Sequence, residues 1–161
     1  MSMPDDIVKV QLDELWPVMA EQIATGGSVR FSPKGTSMLP MLRQNIDSVV
    51  LVKANRKLKK YDLPLYRREN GQFVLHRVVE VKNDSYTMCG DNQYIYEYGI
   101  KDEQILAIME GFYRGDTYVS STNKKYRSYC KKQVAKQHTR GILLKIRHKI
   151  GNILRFLRLY K

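Results

Sequence analysis

The sequence predicts a mostly β fold: a small β domain with a helix before it and a basic amphipathic helix after it. Three observations carry that reading. Short apolar, β-rich runs recur between tight-turn signals, Asn70-Gly71 foremost among them. Apolar residues fall at helical spacing toward both ends, from about Ile7 to Ala24 and from about Thr139 to Tyr160. The composition also changes abruptly after Ser120-Ser121-Thr122-Asn123, beyond which no acidic residue occurs. The 161 residues thus divide into an N-terminal helical segment (1–27), a β domain (28–122) and a basic tail (123–161).

In the first helix, Leu12, Leu15, Trp16, Met19 and Ile23 form the apolar face, Pro17 predicts a kink or two pieces, and Thr25-Gly26-Gly27 ends it. Ser28 to Ser32 reads as a strand. Asp47 to Ala54 holds the buried run Val49-Val50-Leu51-Val52, followed by a solvated basic loop from Arg56 to Lys60. Tyr61 to Arg68 and Gln72 to Val81 form a hairpin about Glu69-Asn70-Gly71, with positive φ expected at both turn positions. On its second strand, Val74, His76 and Val78 share one face and Leu75, Arg77 and Val79 the other. Tyr86 to Cys89 returns from a turn at Lys82 to Ser85, bringing Gly90-Asp91 toward the start of the His76 strand. Tyr94, Tyr96 and Tyr98 alternate as one face of a loop or strand edge. Gln104 to Gly111 and Phe112 to Ser120 close the domain as one or two strands.

Hydrophobic residues make up 43% of the chain, ordinary for a globular domain long enough to bury a core. The two cysteines, Cys89 and Cys130, form no disulfide framework and lack zinc-ligand spacing, so a reducing compartment and no metal or organic cofactor are expected. Met-Ser-Met-Pro-Asp-Asp is acidic at its end and no run of about 18 apolar residues follows, so neither a signal peptide nor a membrane span is expected. The net charge of +12 is unevenly spread. Residues 124–161 hold 13 Lys or Arg and no acid, leaving 15 of the 28 basic residues against all 16 acidic ones, a net of −1.

Gly35-Thr36-Ser37-Met38-Leu39-Pro40 carries the first chemical signal. Gly35 permits a tight bend, and the apolar run Met38 to Leu42 predicts a short helical turn beyond it. A serine at such a corner is exposed, and its own N–H faces a developing oxyanion. It needs a base. Of three histidines, His138 and His148 lie in the basic tail, and His76 alone lies in a strand-like segment, where two valines favour its neutral form. Lys34, three residues before Ser37, reads as a loop lysine. Asp91 is either a turn-capping residue or the acceptor that orients a neighbour.

From about Val29 to Gly111 the chain resembles the signal peptidase clan, which includes LexA-type self-cleaving repressors. The matching residues are Gly35-x-Ser37-Met38-x-Pro40, Asp47 before an apolar strand, Asp62-Leu63, Leu75-His76-Arg77-Val78-Val79 and Gly90-Asp91-Asn92. Clan members with a lysine base place it after the serine; the archaeal and endoplasmic-reticulum type uses histidine in a Val-His-Arg-Val setting. The resemblance implies a β-barrel-type catalytic domain and a serine endopeptidase with Ser37 as nucleophile, His76 as general base and Asp91 as supporting acid. It also implies an orienting carboxylate shortly after Gly-Asp-Asn, where Glu97 stands in place of the usual aspartate. Asp91 and Glu97 therefore both remain candidates for the third catalytic position. The missing membrane span departs from true signal peptidases.

In the tail, Leu143, Ile146, Ile150, Ile153, Leu154 and Leu157 mark one face of a helix whose remainder is largely cationic. Such a helix suits an anionic membrane surface; a docked helix and a nucleic-acid arm are the competing readings, the last disfavoured by sparse aromatic residues. The expected protein is a signal-peptidase-like serine endopeptidase acting on a leader or signal-type peptide, cytoplasmic and either soluble or peripheral on the inner membrane face. The alternatives are a LexA-like self-cleaving domain and a catalytically inactive adaptor. Against the LexA-like reading, the N-terminal segment is short for a helix-turn-helix domain and no Ala-Gly linker precedes Ser37.

Overall fold

In a computed structural model of the protein, residues 12–137 and residue 139 are described. Helix α1 (Leu12–Ala24) runs through Pro17 as one piece, although the ring removes a hydrogen bond from the helix interior. Burial holds it together: Met19 and Ile23 are in the core, and the Trp16 ring lies 5.6 Å from that of Phe73. The helix ends in a Schellman motif. Gly26 adopts φ +87° and its N–H donates to the Ile23 carbonyl at 3.1 Å, while Gly27 N–H donates to Gln22 at 2.9 Å. The expected first turns of this helix, residues 7–11, lie outside the described residues.

Nine strands follow among the described residues: β1 (Val29–Phe31), β2 (Ser48–Val52), β3 (Pro64–Arg67), β4 (Phe73–Leu75), β5 (Arg77–Val81), β6 (Tyr86–Cys89), β7 (Glu97–Ile100), β8 (Ile105–Arg114) and β9 (Thr117–Ser120). A 3₁₀ turn, Asp102–Gln104, precedes β8, and residues 124–137 form a second helix, α2. Six strands make one antiparallel sheet in the order β1-β2-β8-β3-β4, with β9 added beside β8. It curls into a half-barrel. The other three form a sheet in the order β5-β6-β7. The observed class is therefore mostly β with a helix at each end of the described chain.

Long β8 is the spine, pairing β2 on one side and β3 then β9 on the other. Strand β2 is apolar on both faces because both are covered, with Val49 and Leu51 fully buried. Ahead of it Asp47, fully buried, accepts bonds from the Arg43 amide and guanidinium (2.8–2.9 Å) and from Gly115 N–H (3.0 Å). The Arg43 bonds outweigh burial and hold its carboxyl at about 2.

The structure corrects three local expectations. The hairpin about Asn70-Gly71 forms, pairing Leu65 with Leu75, but only Gly71 has positive φ (+86°). Gly71 N–H reaches Arg68 carbonyl at 2.8 Å and Arg68 N–H reaches Gln72 carbonyl at 2.9 Å, the pattern of a type I turn with a glycine bulge. The run Gln72–Val81 is not one strand: it breaks at His76, β4 joining the large sheet and β5 the small one. The closing strands divide at Gly115 (φ +59°) rather than near Gly111.

Helix α2 is the element the sequence reading did not separate from the basic tail. Tyr126 and Cys130 belong to the main core, Val134 packs with Val79 and Cys89, and Gln133 and Gln137 are buried beside them. The amphipathic helix expected from Thr139 to Tyr160 lies, apart from Thr139, outside the described residues. Among the described residues, no helix is long and apolar enough to cross a membrane.

Candidate active site

After β1 the chain bends at Gly35, whose φ of +92° lies in the region that favours glycine. Its N–H is held by Gln44 Oε1 at 2.7 Å. One helix-like turn follows, with Leu39 N–H donating to Thr36 carbonyl (3.2 Å) and Leu42 N–H to Met38 carbonyl (3.0 Å). Burial of Met38, Met41 and Leu42 pins that turn to the core, leaving Ser37 half-buried at its start. Among the described residues, no protein acceptor takes the amides of Ser37 or Met38.

His76 occupies the break between β4 and β5, and only 4% of it is exposed. Its Nδ1 lies 2.9 Å from Glu97 Oε1 and 3.4 Å from the Tyr66 hydroxyl. Glu97, the first residue of β7, is gripped by Arg68, Nε to Oε2 at 2.7 Å and Nη2 to Oε1 at 2.5 Å. A carboxylate only accepts, so Nδ1 carries the ring proton and Nε2 keeps its lone pair. Burial lowers the His76 pKa, with Glu97 opposing part of that shift, so the ring is neutral at pH 7. Burial pushes Glu97 up, but the bonds from Arg68 and Tyr66 prevail and hold its carboxyl below the ordinary value.

The third motif joins the first two. Asn92 N–H donates to the Ser37 carbonyl at 2.7 Å, and Asn92 Nδ2 to the Thr36 carbonyl at 3.2 Å. A Cβ on Gly90 would lie 2.7 Å from the Ser37 carbonyl oxygen, 2.9 Å from Gln93 Oε1 and 3.1 Å from His76 Nε2. Serine corner, histidine and Gly-Asp-Asn turn thus meet within the volume of one methyl group. Both protein partners of the ring engage Nδ1; none engages Nε2 among the described residues, so the ring and the Ser37 hydroxyl share a cleft without a bond between them.

Asp91 faces elsewhere. Its two oxygens accept Nε and Nη2 of Arg77, both at 2.7 Å, in an ion pair with neither side chain exposed. Tyr129 donates to it at 2.9 Å. Arg77 also donates to the Tyr61 carbonyl (3.1 Å) and the Tyr126 hydroxyl (3.0 Å). Asp91 therefore orients Arg77, the residue after His76 on the opposite face, while Glu97 orients His76. The structure brings Ser37, His76 and Glu97 together and sets Asp91 behind them.

Sequence reasoning missed Arg68, Tyr66 and the steric role of Gly90. Tyr66 and Arg68 stand two residues apart where β3 enters the hairpin turn, and the cross-strand pairing of Tyr66 with Val74, two residues before His76, is the available signal. Ser37 and His76 open onto a cleft of about 650 Å³ walled by Leu15 of α1, Phe31 of β1, Met38, Leu65, Phe73 and Leu75. Strand β4 lies along it and, among the described strands, pairs with β3 alone, so its other edge is unpaired. Among the described residues no group of three or more His, Cys, Asp or Glu is placed to hold a metal ion. Comparison of the chain with family models, curated proteins and solved structures finds no match to any of them.

Proposed function

We propose that the protein is a serine endopeptidase resembling the signal peptidase clan, with Ser37 as nucleophile, His76 as general base and Glu97 as the carboxylate that orients the base. One observation carries the reading: the Ser37 carbonyl and His76 Nε2 each lie about 3 Å from a single point at Gly90, while Nδ1 is tied to Glu97. Proton flow then has one direction. Nε2 takes the Ser37 proton as Oγ attacks a peptide carbonyl; the C–N bond breaks, its amine takes that proton from Nε2, and water cleaves the acyl ester. The amides of Ser37 and Met38 supply donors for the tetrahedral oxyanion. An extended peptide fits the free edge of β4, its side chains entering the apolar cleft. The 13 basic residues after Asn123 support a second, peripheral contact with an anionic membrane surface.

A p-nitrophenyl ester that acylates serine tests this. The protein should carry one acyl group, mapped to Ser37 by mass spectrometry. Ser37→Ala should abolish it and His76→Ala should slow it by about 10²-fold or more. Acylation that survives Ser37→Ala at the same rate refutes the proposal.

A further inference from the structure

We infer that Gln133 and Gln137 of α2 are positioning residues of the hydrolytic site, acting through the turn that holds Ser37. The inference rests on the serine-peptidase reading. The turn Gly90-Asp91-Asn92 grips the serine corner with Asn92 N–H, but little of its own backbone holds it in place: Gln93 N–H to Gly90 carbonyl is the closing bond. Its carbonyls face α2 instead. Gln137 Nε2 donates to the Gly90 carbonyl at 2.5 Å, and Gln133 Nε2 donates to the Asp91 carbonyl. Both glutamines are buried, Gln137 completely. They stand one helical turn apart, so the two amides reach two successive carbonyls.

Burial of two long polar side chains needs a return: among the described residues Gln133 gives the Asp91 carbonyl its one donor, and Gln137 adds a second to the Gly90 carbonyl beside Gln93 N–H. The same helix also holds the Asp91 side chain, Tyr129 donating to its carboxylate and Tyr126 accepting from its partner Arg77. The chain of contact is continuous: α2 amides, turn carbonyls, Asn92 N–H, Ser37 carbonyl. Among the described residues neither glutamine hydrogen-bonds the Ser37 hydroxyl or the His76 ring. Their effect is therefore on the rate of acylation, not on which group is acylated.

Gln137→Met and Gln133→Met keep the side-chain length and remove the donor. Two readouts apply to each, with the p-nitrophenyl ester as probe. By native-state amide exchange, the Asn92 N–H should exchange at least tenfold faster than in the parent, while amides of the β2–β8 ladder such as Phe112 stay unchanged. The acylation rate constant should fall about tenfold with the half-saturating ester concentration unchanged, and Gln137→Asn should behave between the two. Uniform acceleration of all amides, or an unchanged acylation rate in folded variants, overturns the inference and leaves the peptidase reading intact. If neither variant folds, the contact serves folding rather than positioning and the inference also fails. A parent protein whose acylation is independent of Ser37 removes the peptidase reading first, and with it the positioning role; the Asn92 exchange rate then reports only on the helix–turn contact.

Discussion

Gly90→Ala isolates the point on which the site converges. The new methyl group would stand 2.7 Å from the Ser37 carbonyl oxygen, where even a short C–H···O contact needs about 3.3 Å. Gln93 can swing its amide aside. The other two neighbours cannot: the Ser37 carbonyl is backbone bonded to Asn92 N–H, and the His76 ring is bonded to Glu97. The corner and the turn must therefore separate by roughly half an ångström, and overpacking of this kind costs about 1–3 kcal/mol. For a domain of this size that lowers the melting temperature by roughly 2–12 °C. A misplacement of about 1 Å costs on the order of 10²-fold in rate, so half of it predicts about a tenfold slower acylation. Thermal melts followed by circular dichroism and ester burst kinetics on the same samples measure both. A variant that acylates at the parental rate and melts within about 1 °C of it refutes the convergence of the three motifs.

Glu97→Gln should lower the acylation rate by about 10²- to 10⁴-fold, because the ring loses the acceptor that fixes its tautomer. Glu97 raises the His76 pKa, so the acid limb of the remaining activity should shift to lower pH in a stopped-flow pH series. Burial of neutral His76 also couples to folding. The folded pKa lies below the unfolded value of about 6.5, so the unfolded chain binds the extra proton, and this stability is complete above 6.5 and lost as pH falls from there toward the folded value. The stability advantage of the parent over His76→Gln in urea should shrink over that interval. Arg77→Met leaves Asp91 buried without its charge partner and should cost about 3–5 kcal/mol in urea unfolding, while Arg77→Met with Asp91→Leu should recover much of it.

Local signals in the sequence located what local physics determines. The Asn-Gly turn, the apolar run of β2 and the glycine-bent serine corner each appear where propensity placed them, because neighbouring residues dictate them. Long-range partners were harder. In the sequence Glu97 and Asp91 are two carboxylates near one turn, and nothing local separates them. What separates them is that Asp91 points to the Arg77 face of the strand run and Glu97 comes in from β7 on the His76 face. The strand break at His76 has no glycine or proline to announce it; it arises from the two halves finding partners in different sheets. Helix α2 was obscured by charge. Tyr126, Cys130 and Val134 recur every fourth position, but lysines between them and glutamines on the buried side hide a stripe that only tertiary contacts complete.

The imidazole stands at the seam between two layers, with one layer ending on the residue before it and the other starting on the residue after it. It is thus a gauge of their alignment. Prying the layers apart would strain the imidazole and the serine corner together, because the corner follows β1 of the larger layer yet is held by Asn92 from the smaller one. Under the serine-peptidase reading, a ligand wedged between them would slow acylation from outside the cleft.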